Sequence, residues 1–178
     1  MKQFPCGRRL VVGLSIVLGT VASVPTAAWA AAKSRTPIVQ AKTIHLYQKV
    51  VTRKIVNGQG KTVSTHAAIR SGFKIAATYN EYTGNHKHHA AQTAGTGSMT
   101  CTYQNSVYAL CTARVSLSGS SVVAQRVYVT FSAQPVSIAV NGGTGSYANV
   151  HGLMSLMSVG KSGNADLTII VAPKVAHS

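Results

Sequence analysis

The chain has 178 residues, of which 17 are Lys or Arg and only two, Glu81 and Asp166, are acidic, so its formal net charge is +15. This length is sufficient for one domain and a short leader. The scarcity of carboxylates excludes a paired-carboxylate mechanism unless the fold brings Glu81 and Asp166 together. Because each lies beside turn-forming residues, we expect both at the surface.

Residues 1–30 have the pattern of a secretory signal peptide. A positively charged start precedes the apolar run Leu10 to Val24, and Ala28-Trp29-Ala30 fits a cleavage site. We therefore predict an exported protein, periplasmic or extracellular, that begins near Ala31; an uncleaved anchor is the alternative. Residues 31–42 are expected to form a flexible lead-in and residues 43–174 one folded domain. Because the leader contains three cations, cleavage lowers the formal charge to +12.

Positive charge is concentrated in the first half of the mature chain, where nine of its 14 Lys and Arg residues precede residue 75. We interpret this as a solubilising surface; the alternative is contact with an acidic polymer or an anionic membrane surface. Specific nucleic-acid binding is not expected, because no aromatic residues are interleaved with the cations.

Two cysteines, Cys101 and Cys111, remain after the leader. A hairpin centred on Ser106 places them directly opposite each other, with Met99 facing Ala113. An even cysteine pair in an exported chain indicates a disulfide.

Period-two alternation recurs after residue 42, with turn signals between the runs, and no segment there has a convincing helical period. The predicted strands are Thr43 to Val56, Phe73 to Tyr79, Val107 to Leu117, Val123 to Phe131, Val136 to Val140, Leu153 to Val159 and Leu167 to Val171. In the fourth of these runs, unbroken alternation places Val123, Val127 and Val129 on one face. The pattern is typical of an all-β sandwich or barrel.

A glycine-rich corner joins two of these strands. We expect Gly142, Gly143, Thr144 and Gly145 to turn the chain there. The run Gly143 to Ala148 also satisfies the dinucleotide fingerprint G-x-G-x-x-A, but that fingerprint must open a helix, and the residues that follow are poor helix formers.

The same corner, with Tyr147 and Gly152, resembles the motif A-V-x-G-G-T-G-x-Y/F-x-x-A-R-G of the allene oxide cyclase and dirigent barrel family. Residues 78–84 resemble T-N-K-L-Y-x-G of plant allene oxide cyclases, and Thr93-Ala94-Gly95 resembles the T-A-G that follows. Gly97 to Cys101, with Cys111, resembles the secreted bacterial branch. The resemblance covers residues 43–172.

This resemblance implies an eight-stranded antiparallel β-barrel with an apolar cavity and no cofactor, and many members form homotrimers. Plant members cyclise a fatty-acid epoxide or hold phenoxy radicals for stereoselective coupling. The acidic residue of the cyclase's first strand corresponds here to Gln48, which has no charge. Whether the chain is an enzyme, of the isomerase type, therefore stays open.

Polar side chains on the proposed strands are the candidate ligand-binding groups, because small-molecule sites combine an apolar wall with a few polar tips. The candidates are Tyr47, Gln48, Tyr79, Tyr103, Tyr128 and His151. In the H-x-H-H run, His86 and His88 would share a face and could bind a transition metal. We favour an exposed structural loop and predict no metal site, because Lys87 is adjacent and no carboxylate partner is evident.

We therefore predict a secreted barrel that binds a small hydrophobic molecule, as a cofactor-independent isomerase-like or stereo-directing protein. The alternative is a non-enzymatic cationic envelope or extracellular protein that binds acidic polymers.

Overall fold

The computed structural model describes residues 40–64, 68–132 and 134–174, and antiparallel strands make up most of these residues. The strands are β1 (Lys42–Val56), β2 (Thr62–Val63), β3 (Lys74–Thr83), β4 (Gly95–Tyr103), β5 (Tyr108–Leu117), β6 (Ser120–Thr130), β7 (Val136–Val140), β8 (Gly142–Thr144), β9 (Val150–Val159) and β10 (Asn164–Pro173). The predicted signal peptide lies outside the described residues. Within them, no helix is long and apolar enough to cross a membrane.

The strands form one antiparallel sheet in the order β7-β9-β10-β1-β3-β4-β5-β6-β8, and β2 pairs with β1 beside this path. The two ends of the path, β7 and β8, are separated in sequence by Asn141 alone. The sheet therefore curls into a nearly closed barrel, and the all-β prediction is confirmed. The path has nine strands, not the predicted eight, because the segment 136–144 divides between two partners: β7 pairs with β9, and β8 pairs with β6.

Asn141 makes the connection at this division. Its backbone N–H donates to the Val123 carbonyl at 3.1 Å. Its side-chain Oδ1 accepts from the Gln125 N–H, and its Nδ2 donates to the Gln125 carbonyl, both at 2.8 Å. The amide side chain thus makes the pair of bonds that a backbone residue of a neighbouring strand would make.

The side chains that fill the barrel interior follow the predicted alternation. On β5, Ala109, Cys111 and Val115 are buried, and on β10, Leu167, Ile169 and Val171 are buried. The hairpin register is confirmed, since Cys101 faces Cys111 and Met99 faces Ala113. Cys101 and Cys111 form a disulfide inside the barrel.

The predicted unbroken alternation on β6 is wrong. Val122 and Ala124 are the buried residues of its first half, and Val129 is buried in its second half. Between them the register with β5 shifts, and Arg126 adopts a φ of +51°. A β-bulge inserts an extra residue and resets which face each side chain occupies, so Val123 does not share the buried face with Val129.

The glycine corner contains more regular structure than a simple turn. Gly142 to Thr144 form β8, and the turn proper begins at Gly145, where φ is +59° and a short 3₁₀ turn, Gly145–Tyr147, starts. Gly143 must lack a side chain, because a Cβ there would collide with the carbonyl of Tyr147. Strand β9 follows, not a helix, so the exclusion of the dinucleotide fingerprint is confirmed.

Candidate functional site

A cavity of about 170 Å³ lies inside one end of the barrel. Its wall is mainly aliphatic and aromatic, with a few polar groups. The lining residues are Gln48, Val50, Arg53, Ile75, Tyr79, Met99, Cys101, Tyr103, Phe131, Gln134, Val136, Ile138, Leu156, Ser158, Gly163 and Ala165. Gln48, Tyr79 and Met99 also line a much smaller void of about 10 Å³.

The cavity opens at the end of the barrel that we call the rim. The rim consists of residues 57–61 and 68–73 between β1 and β3, residues 104–107, residues 134–135 and residues 160–163. Because neighbouring strands are antiparallel, these connections all lie at the same end. Three residues of the cavity wall, Arg53, Gln134 and Ser158, are exposed to solvent. A ligand can therefore enter from the rim.

A buried carboxyl group, that of Glu81, stands behind one polar residue of the wall. Pairing of β1 with β3 places Gln48 opposite Glu81, and their side chains are 5% and 0% exposed. The Gln48 Nε2 donates to Glu81 Oε1 at 2.8 Å. Glu81 Oε2 is buried without a hydrogen-bond partner in the described part of the chain. Such an atom is costly to bury, and the arrangement therefore calls for a functional explanation.

Burial changes the acidity of this carboxyl. Desolvation raises the pKa of Glu81 to about 7, and the hydrogen bond from Gln48 partly opposes that rise. A carboxyl with this pKa is present in both protonation states at neutral pH, as a group that gives or takes a proton in catalysis must be.

Gly97, on β4, provides the space for this pair. A Cβ at this position would collide with Glu81 Oε1 and would lie 3.2 Å from the Gln48 Nε2. Three adjacent strands thus contribute to one arrangement: Gln48 from β1, Glu81 from β3 and the missing side chain from β4.

Two tyrosines and an arginine complete the polar part of the cavity wall. Burial raises the pKa of both Tyr79 and Tyr103, and the Arg53 charge opposes the rise in each case. The phenols therefore stay neutral at physiological pH and can both donate and accept hydrogen bonds. The Tyr103 ring stacks on Phe131 with centroids 5.5 Å apart, which fixes its orientation at the rim end of the wall.

The structure brings together three of the six predicted ligand-binding residues: Gln48, Tyr79 and Tyr103 all line the cavity. Tyr47, Tyr128 and His151 do not line it. The Tyr47 ring packs against His89 outside the barrel, and its hydroxyl accepts a hydrogen bond from Asn164 at 2.9 Å. Tyr128 is 75% exposed, and His151 is exposed on β9.

The expectation that Glu81 lies at the surface is wrong. Strand β3 continues through Tyr82 to Thr83, so Glu81 is a strand residue, not a turn residue. A sequence signal was present, since Ile75, Ala77, Tyr79 and Glu81 alternate with polar or small residues and share the buried face.

Asp166 lies outside the barrel, on the opposite side of the sheet from Glu81, since Tyr47 faces Asp166 whereas the next residue, Gln48, faces Glu81. Its carboxylate accepts hydrogen bonds from the His86 backbone N–H at 2.7 Å and from the His86 ring at 2.6 Å. The fold therefore keeps the two carboxylates apart, and His86 does have a carboxylate partner, contrary to expectation.

The histidine-rich loop between β3 and β4 is held by local contacts. Besides the bonds of His86, the Asn85 side chain accepts from the backbone N–H of Lys87 and of His88, and His89 packs on Tyr47 and Tyr82. Across the described ranges, no three His, Cys, Asp or Glu side chains are grouped so that they could hold a metal ion.

Solved structures of similar fold come from proteins of low sequence identity. A structure of pyocyanin demethylase matches with a TM-score of 0.57 at 18% identity, covering 73% of this chain and 99% of the other. The pterocarpan synthase dirigent protein GePTS1 matches with a TM-score of 0.54 at 17% identity, covering 78% of this chain and 88% of the other. PsPTS1, a second pterocarpan synthase dirigent protein, matches with a TM-score of 0.52 at 18% identity, covering 76% of this chain and 97% of the other.

These likenesses show that the chain has a dirigent-like barrel fold. No protein-family model matches the sequence, and no curated protein matches it significantly.

Proposed function

We propose that the barrel binds one small, largely apolar molecule in the cavity at its rim end. The observation that carries this proposal is an apolar cavity of about 170 Å³ into which a few polar side chains, chiefly Gln48 and Tyr79, converge. An apolar wall with a small number of placed polar groups is the usual composition of a small-molecule site. The size of the cavity suits a compact molecule of roughly one or two rings, or part of a longer one.

The fold comparisons support a small-molecule function. One structural neighbour is named as a demethylase of pyocyanin and two are named as pterocarpan synthase dirigent proteins. In this chain the cavity occupies the interior of the same type of barrel, which favours ligand binding over the alternative of a cationic protein whose surface alone binds acidic polymers.

A cofactor-independent isomerase-like or stereo-directing role fits the arrangement behind the wall. Glu81 holds the Gln48 amide through its Oε1, so Gln48 can meet a polar atom of the ligand in a fixed orientation. The raised pKa of Glu81 makes proton exchange available at neutral pH, although the carboxyl is not itself part of the cavity wall. We therefore assign Glu81 as a positioning residue and Gln48 as the residue that touches the ligand.

Native mass spectrometry of the mature protein, purified from an oxidising compartment, tests binding, followed by organic extraction of whatever is bound. We expect a stoichiometric lipophilic mass, or uptake of added fatty-acid or phenolic probes. A clean unliganded mass in several preparations, together with no uptake of either probe, would overturn the proposal.

A pair of variants tests the role of Gln48. Gln48→Leu keeps the wall apolar but removes its amide, and we expect roughly tenfold weaker binding of probes that carry a hydrogen-bonding group, the equivalent of one lost hydrogen bond. Lys49→Leu alters the next residue, which is exposed on the outside of β1, and should leave probe affinity unchanged. Equal affinities of the two variants for all probes would assign the binding to another part of the molecule.

A further inference from the structure

The cations of the chain are unevenly distributed over the barrel. Half of the 12 described Lys and Arg residues lie on or beside the rim: Arg53, Lys54, Lys61, Arg70, Lys74 and Lys161. Arg53 lines the cavity itself, Lys61 and Arg70 lie between β1 and β3, and Lys161 lies in the turn from β9 to β10. The chain has only two carboxylates: Glu81 is buried, and Asp166, near the start of β10, is bonded to His86. Among the described residues, neither forms an ion pair with a Lys or Arg side chain. The rim therefore carries uncompensated positive charge.

Exposed aromatic side chains lie at the same end. Tyr108, at the start of β5, is 49% exposed, and Tyr128, near the end of β6, is 75% exposed. Tyr108 faces Thr130 and Tyr128 faces Leu110, so the two tyrosines are diagonal neighbours on the outer side of one strand pair. A tyrosine ring has an apolar body and a polar hydroxyl, which suits the boundary between lipid and water.

We propose that the rim docks on an anionic lipid surface. The cations supply attraction to the head groups, and the tyrosines supply partly buried ring area at the interface. Attraction to an acidic polymer would need the cations but would give no role to Tyr108 and Tyr128.

The position of the cavity agrees with this partner. Docking by the rim places the cavity entrance against the lipid, so an apolar molecule dissolved in the membrane can enter without crossing water. This consequence rests on the proposed small-molecule function, but the docking itself does not, and the two fail independently.

Two triple variants with the same change of charge test the proposal. The rim variant Lys61→Gln/Arg70→Gln/Lys161→Gln removes three exposed cations near the cavity entrance and leaves Arg53 in the cavity wall. The control variant Lys49→Gln/Lys87→Gln/Lys174→Gln removes three exposed cations from the side and the opposite end of the barrel. Thermal unfolding of each variant checks that the fold is kept.

The measurement is co-sedimentation of the mature protein with vesicles at low ionic strength. We expect the unmodified protein to bind vesicles of phosphatidylglycerol and phosphatidylcholine and not to bind pure phosphatidylcholine. Each cation near an anionic surface adds to the free energy of binding. The rim variant should therefore bind the vesicles at least about tenfold more weakly than the unmodified protein, and the control variant should stay within about twofold of it.

A further variant, Tyr108→Ser/Tyr128→Ser, distinguishes binding to a lipid surface from binding to an acidic polymer. We expect it to weaken vesicle binding severalfold and to leave binding of soluble polyphosphate unchanged. Equal losses in the two triple variants would show a diffuse charge effect and overturn rim docking. Vesicle binding that does not depend on the tyrosines, with equally tight binding of polyphosphate, would assign the surface to acidic polymers instead. Absence of vesicle binding by the unmodified protein would overturn the proposal directly.

Discussion

Glu81 is the residue whose environment differs most from its ordinary chemistry. A carboxyl group inside an apolar barrel, with one oxygen bonded to Gln48 and the other without a partner among the described residues, favours its neutral form because burial penalises charge. The consequence is a link between protonation of this one group and the stability of the whole domain.

The pH dependence of stability follows from the raised pKa. Glu81 titrates near pH 4.5 when unfolded and near 7 when folded. Below pH 4.5 both states are protonated and the contribution of Glu81 to stability is fully present. Between these values the folded state holds a proton that the unfolded state has lost, so the free energy of unfolding falls as pH rises.

Glu81→Gln should abolish this dependence, because the amide has nearly the same shape and does not titrate. We expect the free energy of unfolding of the unmodified protein to fall by about 3 kcal/mol more than that of the variant between pH 4.5 and 7. Denaturant unfolding curves of the two proteins at several pH values measure this difference, and taking the difference removes every contribution that the two proteins share. Parallel pH dependences for the two proteins would show that folding does not raise the pKa of Glu81.

Part of this site could be predicted from the sequence, and part could not. Alternation placed Tyr79 and Tyr103 on strand faces, and the family resemblance directed attention to Gln48. The same alternation, extended two residues past Tyr79, would have placed Glu81 inside. The contact between Gln48 and Glu81 depends on the register of β1 against β3, and that register shifts between Val50 and Thr52. Because such shifts leave no clear mark in the sequence, the pairing itself could not be predicted.

At the scale of the strand, the barrel contains irregular positions that a period-two sequence pattern does not predict. Strand β6 changes its buried face at the bulge near Arg126, and the segment 136–144 changes partner at Asn141. Both irregularities lie on the strands that bring the two ends of the sheet together, and a bulge bends the strand that contains it. Alternation therefore predicted the regular strands, β5 and β10 among them, and failed where regularity ends.

Asn141→Ala tests whether this change of partner holds the barrel closed. The substitution removes both side-chain hydrogen bonds to Gln125. We expect a loss of about 1–2 kcal/mol in the free energy of unfolding, because each bond contributes about 0.5–1.5 kcal/mol. Asn141→Asp keeps an acceptor for the Gln125 N–H but cannot donate to its carbonyl, so it should lose at least as much.

Asn80→Ala is the matched control. Asn80 is a partly buried strand residue whose side chain makes no hydrogen bond within the described chain, and its substitution should change stability by less than about 0.5 kcal/mol. Chemical denaturation compares the three variants. A loss for Asn80→Ala as large as that for Asn141→Ala would mean that the bonds to Gln125 are not what stabilises this part of the sheet.

At the scale of the whole molecule, the two ends of the barrel carry different features. The rim end combines the cavity entrance, the uncompensated cations and the exposed tyrosines, whereas the histidine-rich loop, whose His86 bonds to Asp166, lies at the other end. The sequence showed the excess charge and its concentration before residue 75, but not that β1, β3 and the turn after β9 bring those cations to one rim. The family resemblance implied an apolar cavity, but its volume of about 170 Å³ could not be predicted, because an internal volume is a small difference between the barrel radius and the side chains that fill it.

Filling the cavity should separate ligand binding from surface docking. Met99→Trp adds a large ring at a residue that lines the cavity, and Thr100→Trp adds the same ring at the next residue, which is exposed on the outside of β4. We expect Met99→Trp to reduce probe uptake at least tenfold, since the indole occupies much of a cavity of about 170 Å³. Because the added ring enters existing space, the loss of stability should stay within the 1–3 kcal/mol usual for overpacking.

Thr100→Trp should bind probes normally, and both variants should sediment with anionic vesicles as the unmodified protein does. Uptake unaffected by Met99→Trp would place the ligand outside the barrel, whereas loss of vesicle binding in a stable Met99→Trp protein would show that docking requires an occupied cavity.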